Sequence, residues 1–275
     1  MQLLNCCIFT TIYFCSILVV TFIKGGEESG YKFYMIIWFT LGSCIGSFML
    51  CLTYETDCLC RRSRCDQCHH NLSWMDLIPV YSFLLNWGRC RYCNCKLSSK
   101  YLICEILTGL ALVHLSLNQQ FNIDLLATIA IMLIPLSIYD TEHLKIPNMM
   151  LILLFFTLML INLKDMLIYQ IYFSYDVFLF KLLIFILLHI FFFLSKCIGY
   201  GDIKLFSILL LFLPIPFFIS LFFITYLIGG LSCIIFLSYK TGLKKIPLVP
   251  FITTSFFVVL LLYEQIKILY FGGFV

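Results

Sequence analysis

The sequence predicts an all-α polytopic membrane protein with about eight or nine transmembrane helices and a small polar insert. Of its 275 residues, 62% are hydrophobic and 12% are charged, whereas soluble domains have about 45–50% apolar and about 25% charged residues. A soluble fold needs more polar side chains on its surface than this chain supplies. The composition therefore excludes a soluble enzyme, a nucleic-acid-binding domain and a disordered protein.

Each predicted helix corresponds to a run without charged residues, and most runs approach the length of about 20 residues that a membrane span needs. The runs are Met1–Ile23, Phe33–Tyr54, Ile106–Ile123, Leu125–Tyr139, Ile146–Leu163, Leu182–Ser195, Leu205–Tyr239 and Ile246–Tyr263. Pro214 and Pro216 interrupt the longest run, which therefore predicts two short helices or one helix and a re-entrant segment. Residues 1–23 lack the basic start of a secretory signal, so we expect them to be retained as a helix.

The arginines indicate the orientation in the membrane. All five lie between Arg61 and Arg91, within a polar segment, Glu55–Lys100, that holds seven Lys and Arg residues. Short loops rich in Lys and Arg stay in the cytoplasm, so this segment is expected to be cytoplasmic. Counting helices from it places the loops that contain Asp140 and Asp202 on the same side. The predicted domains are N-terminal transmembrane helices at 1–54, a cytoplasmic domain at 55–100 and a transmembrane domain at 101–275.

The cytoplasmic segment carries a cysteine pattern typical of a zinc site. Two Cys-x-x-Cys pairs, Cys65/Cys68 and Cys90/Cys93, are separated by 21 residues. Four thiolates at this spacing suit a closed tetrahedral zinc site. Disulfides are the weaker alternative in a reducing cytoplasm, and free buried thiols are another. Nearby residues that could replace a ligand, at the expense of the paired spacing, are Cys58, Cys60, Cys95, His69 and His70.

A zinc site on a basic segment also occurs in nucleic-acid-binding proteins. Here the segment is short, both of its ends are attached to membrane helices, and four acidic residues dilute its charge. We therefore expect no nucleic-acid partner.

Two aspartates at the membrane edge are the candidate catalytic residues. Asp140 ends one apolar run, and Asp202 precedes another within Gly199-Tyr200-Gly201-Asp202. Ionisable groups at membrane depth are expensive to bury and are therefore functional candidates. Two neighbouring carboxylates can share one proton and hold a water molecule as a nucleophile. Alternatively, both residues are only interfacial helix caps.

Helix dipoles suggest which aspartate of this pair is the base and which one keeps a proton. Asp202 is placed as an N-cap, where the dipole favours the ionised form, and Asp140 lies near a helix C-terminus, where it does not. This argument predicts Asp202 as the base and Asp140 as the protonated partner. A third acid, Glu105, lies one turn into a predicted helix and faces either the bundle or the interface.

The chain resembles the prepilin peptidase family, also called type IV leader peptidases, which are membrane aspartic proteases of the GxGD type. The resemblance covers the chain from about Gly42 to about Pro250. It rests on motifs that occur together and in the family's order. The motifs are Arg64–Cys68, Trp74–Ser82, Gly88–Cys93, Lys100–Tyr101, Glu105–Gly109, Asp140 with Ile146-Pro147-Asn148, and Gly199-Tyr-Gly201-Asp202-Ile-Lys204.

The resemblance implies an enzyme of the bacterial plasma membrane that uses Asp140 and Asp202 to remove the short basic leader from prepilins or pseudopilins at the cytoplasmic face. It also implies a structural zinc ion and, in many members, N-methylation of the new N-terminus with S-adenosylmethionine. Leu50 and Glu55 stand where the family has Asn and Arg. These two departures raise the alternative of a member that only cleaves.

Two other functions use the same residues. An ion-coupled transporter would explain Asp140 and Asp202 as ion sites, but it would not require the paired cysteines. A non-catalytic assembly factor would keep the zinc domain as a docking module. The sequence predicts membrane lipid as the surroundings and gives no oligomeric state.

Overall fold

The computed structural model describes residues 27–54, 63–65, 67–117, 122–169, 174–195, 199–239 and 246–271. Within these residues all regular secondary structure is helical, apart from two isolated β-bridges. The helices are α1 (Glu27–Tyr54), a 3-10 helix (Trp74–Leu77), α2 (Tyr81–Leu85), α3 (Ser99–Leu117), α4 (Ile123–His143), α5 (Asn148–Tyr169), α6 (Tyr175–Ser195), α7 (Tyr200–Phe212), α8 (Ile215–Tyr239) and α9 (Val249–Phe271). The expected helix at 1–23, Glu55, Cys58 and Cys60 lie outside the described residues.

The all-α membrane architecture is confirmed. Among the described residues, 7 helices are long and apolar enough to cross a membrane: α1, α3, α4, α5, α6, α8 and α9. The predicted break in the longest apolar run is also confirmed, because α7 ends at Phe212 and α8 begins at Ile215. With 13 residues, α7 is about 20 Å long, which is less than the thickness of about 30 Å of the hydrocarbon core. The structure thus favours two helices at this break.

The chain divides into two compact units, one ending at Pro135 and the other beginning at Leu136. The first contains the cysteine-rich segment, and the second contains Asp140 and Asp202. The three-part division predicted from the sequence, and the cytoplasmic orientation, stay predictions.

Glycines bring α1 and α3 of the first unit close together. A Cβ atom on Gly42 would lie 2.6 Å from the carbonyl oxygen of Thr108, and one on Gly109 would lie 2.6 Å from Ser43 Oγ. Gly46 likewise faces the Thr108 side chain. Small residues spaced four apart allow such close backbone approach between membrane helices. Gly42 and Gly46 have that spacing, and it is the sequence signal for this contact.

Glu105 is buried in the same unit, with 9% of its surface exposed. Its two carboxylate oxygens accept hydrogen bonds from Ser47 Oγ at 2.8 Å and from the Val80 backbone N–H at 2.7 Å. Val80 has φ +62°, and the Tyr81 N–H donates to the Pro79 carbonyl, which together form a strained γ-turn. Of the two positions considered for Glu105, the structure supports the one facing the bundle. There it connects α1 to the chain between the two cysteine pairs.

In the second unit, the side chain of Lys181 contacts the end of α7. Its Nζ donates to the carbonyl oxygen of Leu211 at 2.7 Å, in the last turn of α7. Pro214 and Pro216 follow and have no backbone N–H to donate. Because no water is present in hydrocarbon, each carbonyl group there needs a protein partner. Lys181 on α6 therefore stabilises the end of the short helix.

We expect Gly42→Ala to destabilise the protein and Gly230→Ala to leave its stability unchanged or raised. The new methyl group at Gly42 meets a backbone oxygen, and overpacking of this kind costs about 1–3 kcal/mol. Gly230 lies in α8 with no atom within 4 Å of an added Cβ, so it is the matched control. The measurement is the thermal unfolding midpoint of each variant in detergent. Equal midpoints for both variants would contradict the close α1–α3 contact.

Candidate active site and metal centre

Asp140 lies in the last turn of α4, and the chain turns sharply just beyond it. Leu144 adopts a left-handed conformation with φ +52° and donates its N–H to the Asp140 carbonyl at 2.9 Å. This is a helix C-terminal motif more often made by glycine. It ends α4 and leads into the short segment before α5, which begins at Asn148. The side chain of Asp140 is buried, with 4% of the residue exposed.

The Asp140 carboxylate faces the start of another helix. Its Oδ2 accepts a hydrogen bond from the backbone N–H of Val249, the first residue of α9, at 3.1 Å. The first N–H groups of a helix lack intrahelical partners and carry partial positive charge, so they favour an ionised carboxylate. The start of α9 therefore opposes the effect of the C-terminus of α4 on Asp140. The contact with α9 favours ionised Asp140.

Asp202 occupies the third position of α7. The N-cap is Gly199, so the prediction that Asp202 is the N-cap is wrong, although the aspartate does lie in the first turn. The Asp202 N–H donates to the Gly199 carbonyl at 3.1 Å. A Cβ atom on Gly199 would lie 2.9 Å from Asp202 Oδ2. Glycine at this position therefore lets the carboxylate fold back over the start of its own helix.

Two contacts bring the first turn of α7 against the segment that follows Asp140. A Cβ atom on Gly201 would lie 3.3 Å from Ile146 Cβ, which is tighter than ordinary van der Waals contact. Lys204 Nζ donates to Asn148 Oδ1 at 3.1 Å. The two sequence motifs, 56 residues apart at this hydrogen bond, are therefore in direct contact.

The two carboxyl groups are close enough to influence each other. Burial and the neighbouring negative charge of Asp140 raise the pKa of Asp202 to about 7; this residue lies in α7, outside the seven candidate spans. Two adjacent carboxylates cannot both ionise cheaply, so one retains a proton. The structure thus brings together Asp140 and Asp202. Their catalytic roles stay a prediction.

Sequence reasoning missed Tyr226 on α8. Its hydroxyl is buried and has no hydrogen-bond partner among the described residues, and its ring lies parallel to that of Phe206 on α7 at 6.2 Å. This hydroxyl interacts electrostatically with the Asp202 carboxyl group. A tyrosine within an apolar run gives no signal of such a position, because its neighbours come from other helices.

A cleft of about 500 Å³ adjoins the contact between the two motifs. Asn148 and Lys204 form part of its wall, together with His189 and apolar side chains of α5 and α6 such as Phe155 and Phe185. The cleft therefore combines a polar group next to the aspartates with a largely apolar surface.

The cysteine-rich segment of the first unit contains two hairpins of the same construction. Isolated β-bridges pair Arg64 with Asn71 and Arg89 with Lys96. In each hairpin the first cysteine accepts a backbone hydrogen bond at its carbonyl from the residue four positions later and donates one to the residue five positions later. His69 and Asn94 take the same left-handed conformation, with φ +54° and +59°. The 64–71 and 89–96 hairpins therefore present their Cys-x-x-Cys pairs alike.

The sulfur atoms of the two hairpins converge. Cys65, Cys90, Cys93 and Cys95 each place Sγ within 4.8 Å of the others. Cys68, predicted as a ligand, lies outside this closest group, in the same hairpin as Cys65. These cysteines could hold a metal ion.

Local backbone groups prepare the first cysteine for a metal. The N–H groups of Cys68 and Gln67 point at the Cys65 sulfur and lower the pKa of Cys65 to about 6. The thiolate is the form of cysteine that binds metals. Soft sulfur ligands in a closed group fit zinc better than a hard cation such as magnesium.

Comparisons with known proteins agree with the grouping of these motifs. The model of the bacterial peptidase A24 N-terminal domain matches residues 40–119, which contain the α1–α3 contact and both cysteine pairs. The model of the type IV leader peptidase family matches residues 127–234, which contain Asp140 and Asp202. No solved structure matches the chain.

Several relatives carry names for the processing of prepilins. A prepilin leader peptidase/N-methyltransferase of Bacillus subtilis is 28% identical over 210 residues, which cover 71% of this chain and 80% of that protein. A protein of the same name from Myxococcus xanthus is 31% identical over 120 residues, covering 42% of this chain and 36% of that protein. A type 4 prepilin-like proteins leader peptide-processing enzyme of Escherichia coli is 36% identical over 89 residues, covering 32% of this chain and 33% of that protein.

The matched region spans about a third of the length of the Myxococcus and Escherichia relatives and most of the length of the Bacillus relative. The two family models lie in sequence along the chain and include every motif on which the resemblance rests, up to Lys204. The chain belongs to the type IV leader peptidase family, that of the prepilin peptidases.

Proposed function

We propose that this chain is a membrane aspartic endopeptidase that removes the short basic leader from prepilins or pilin-like proteins. The observation that supports the proposal is the contact between the two aspartate motifs, beside a largely apolar cleft. Family membership favours this function over an ion-coupled transporter that uses the same acids.

In the proposed reaction Asp140 is the base and Asp202 the acid, the reverse of the assignment from helix dipoles alone. Asp140 accepts a hydrogen bond from the start of α9, which stabilises its ionised form. It takes a proton from a water molecule whose oxygen attacks the scissile carbonyl carbon. Asp202, whose pKa is raised to about 7 by burial and by the charge of Asp140, donates its proton to the leaving amine as the peptide bond breaks.

The substrate class follows from the surroundings of the pair. A prepilin joins a charged leader to an apolar helix, so its scissile bond lies where a polar segment meets the membrane. The cleft beside Asn148 and Lys204 has an apolar wall of the kind that such a helix requires. The relatives are named for this substrate. We place the site at the cytoplasmic face of a bacterial inner membrane, on the same side as the basic segment.

N-methylation with S-adenosylmethionine is the second candidate activity, because it is part of the relatives' names. Leu50, where the family has Asn, is fully buried in the first unit. This position therefore offers an apolar side chain and no hydrogen-bonding group. Residue 55 lies outside the described residues.

The zinc ion would serve a structural role. The two hairpins would each contribute thiolates to one tetrahedral site, and the metal would fix them to each other as a cross-link does. A small segment of this length has little apolar core of its own, and among its described residues the buried apolar ones are Cys65 and Cys90.

Replacement of either aspartate tests the proposal directly. We expect Asp140→Asn and Asp202→Asn, made singly, each to abolish leader removal from a co-expressed prepilin, while the protein stays in the membrane. Asp176→Asn, at an exposed position at the start of α6, is the matched control and should cleave normally. Mass spectrometry of the pilin N-terminus reports cleavage, and a further methyl group reports methylation. Full processing by either variant would rule out the pair.

The contact between the motifs gives a second prediction. Gly201→Val should lower the rate of leader removal. A Cβ atom at residue 201 would lie 3.3 Å from Ile146 Cβ, so the valine side chain should push α7 away from Ile146. Ile146→Ala makes space at the same point, so the double variant should recover part of the lost rate. The measurement is the initial rate of each purified enzyme in detergent. Additive losses in the double variant would contradict the contact.

The rate of leader removal should fall above about pH 7. The pKa of Asp202 is raised, so the group is protonated below about pH 7 and loses its proton as the pH rises through that value. The acid of the pair is then lost, and two negative charges face each other. At low pH the rate should also fall, as Asp140 becomes protonated. A rate that keeps rising to about pH 9 would show that Asp202 is not the acid.

A further inference from the structure

More thiols converge at the metal centre than a tetrahedral site can use. Four sulfur ligands complete the coordination of zinc, with Zn–S distances of about 2.3 Å and therefore S–S separations of about 3.8 Å. Cys65, Cys90, Cys93 and Cys95 converge on one point, and Cys68 lies in the same hairpin as Cys65. One thiol is therefore in excess.

The sulfur separations favour Cys95 as a ligand. Its Sγ lies 3.6 Å from Cys65 Sγ and 3.2 Å from Cys93 Sγ, while Cys65 and Cys93 are 3.8 Å apart. These separations are close to the edges of a tetrahedron of thiolates around zinc. Cys65 and Cys90 are buried, Cys95 is half-buried, and Cys68 and Cys93 are exposed.

The two hairpins explain why the excess thiol arises. When the two hairpins are aligned by their backbone hydrogen bonds, Cys68 corresponds to Cys93, and His70 corresponds to Cys95. His70 turns toward Tyr92, with its ring centroid 3.8 Å from that of the tyrosine. The 64–71 hairpin therefore offers two thiols, whereas the 89–96 hairpin offers three. The left-handed turn at Asn94 lets Cys93 and Cys95, two residues apart, face the same point.

We propose that Cys95 is a zinc ligand in this chain, completing a site with Cys65, Cys90 and Cys93, and that Cys68 can take its place. The ligand set then departs from the two Cys-x-x-Cys pairs predicted by the spacing. Exchange needs only a local movement, because Cys68 lies three residues from Cys65 in the same hairpin. Loss of either thiol alone leaves four sulfur ligands. This inference concerns the metal centre alone and does not depend on the proposed peptidase activity.

Zinc content of the purified full-length protein tests the ligand set. We expect Cys68→Ser and Cys95→Ser each to retain about one zinc ion per chain, and the double variant to lose most of it. Cys65→Ser combined with Cys90→Ser should also lose most of its zinc, because only three of the five thiols then remain. Cys51→Ser, at an exposed cysteine of α1 outside the cluster, is the control and should retain zinc. Loss of zinc in either single variant, or its retention in the double variant, would overturn the proposal.

Alkylation of the native zinc-loaded protein gives a test that needs no variant. With N-ethylmaleimide and peptide mass spectrometry, we expect Cys65, Cys90 and Cys93 to be protected and Cys68 to be modified, either alone or alternately with Cys95 in different molecules. A chelator should expose all five thiols. Full modification of Cys95 with protection of Cys68 would show that Cys95 is not a ligand and would overturn the proposal.

Discussion

The candidate active site depends on the close approach of α7 to the segment that follows Asp140. Gly201 allows this approach because a side chain there would press on Ile146, and Lys204 secures it through Asn148. Asp202 lies between these two residues in the first turn, so the same contact that packs the helix also positions its carboxylate. The family motif thus combines a packing contact, a hydrogen bond and an acid within six residues.

Three charged side chains are paired with backbone groups at helix ends and turns. Asp140 meets the first N–H of α9, and Lys181 meets the last turn of α7. Glu105 meets the strained turn at Val80. Each of these hydrogen bonds joins one helix to a helix end or to a turn elsewhere in the same unit. The strain of a left-handed valine persists because a buried carboxylate accepts its N–H.

Composition and charge-free runs predicted the membrane helices, and the two prolines predicted the break before α8, because these features are local in the sequence. The aspartates and the first cysteines of each pair were also identifiable from spacing. The partners of Asp140 and Glu105 were not, because Val249 and Val80 contribute backbone N–H groups that any residue possesses. The spacing also does not single out Cys95, which lies outside the two Cys-x-x-Cys pairs. Spacing describes one hairpin at a time, whereas the metal centre combines two.

The central claim is that the carboxylates of Asp140 and Asp202 hold one water molecule between them. The direct measurement is the distance between these carboxylates in an electron cryomicroscopy map of the protein in lipid nanodiscs. Two hydrogen bonds of about 2.8 Å to one water predict that the nearest oxygens lie within about 5.6 Å of each other. A separation well beyond that value, with a prepilin bound, would contradict the account.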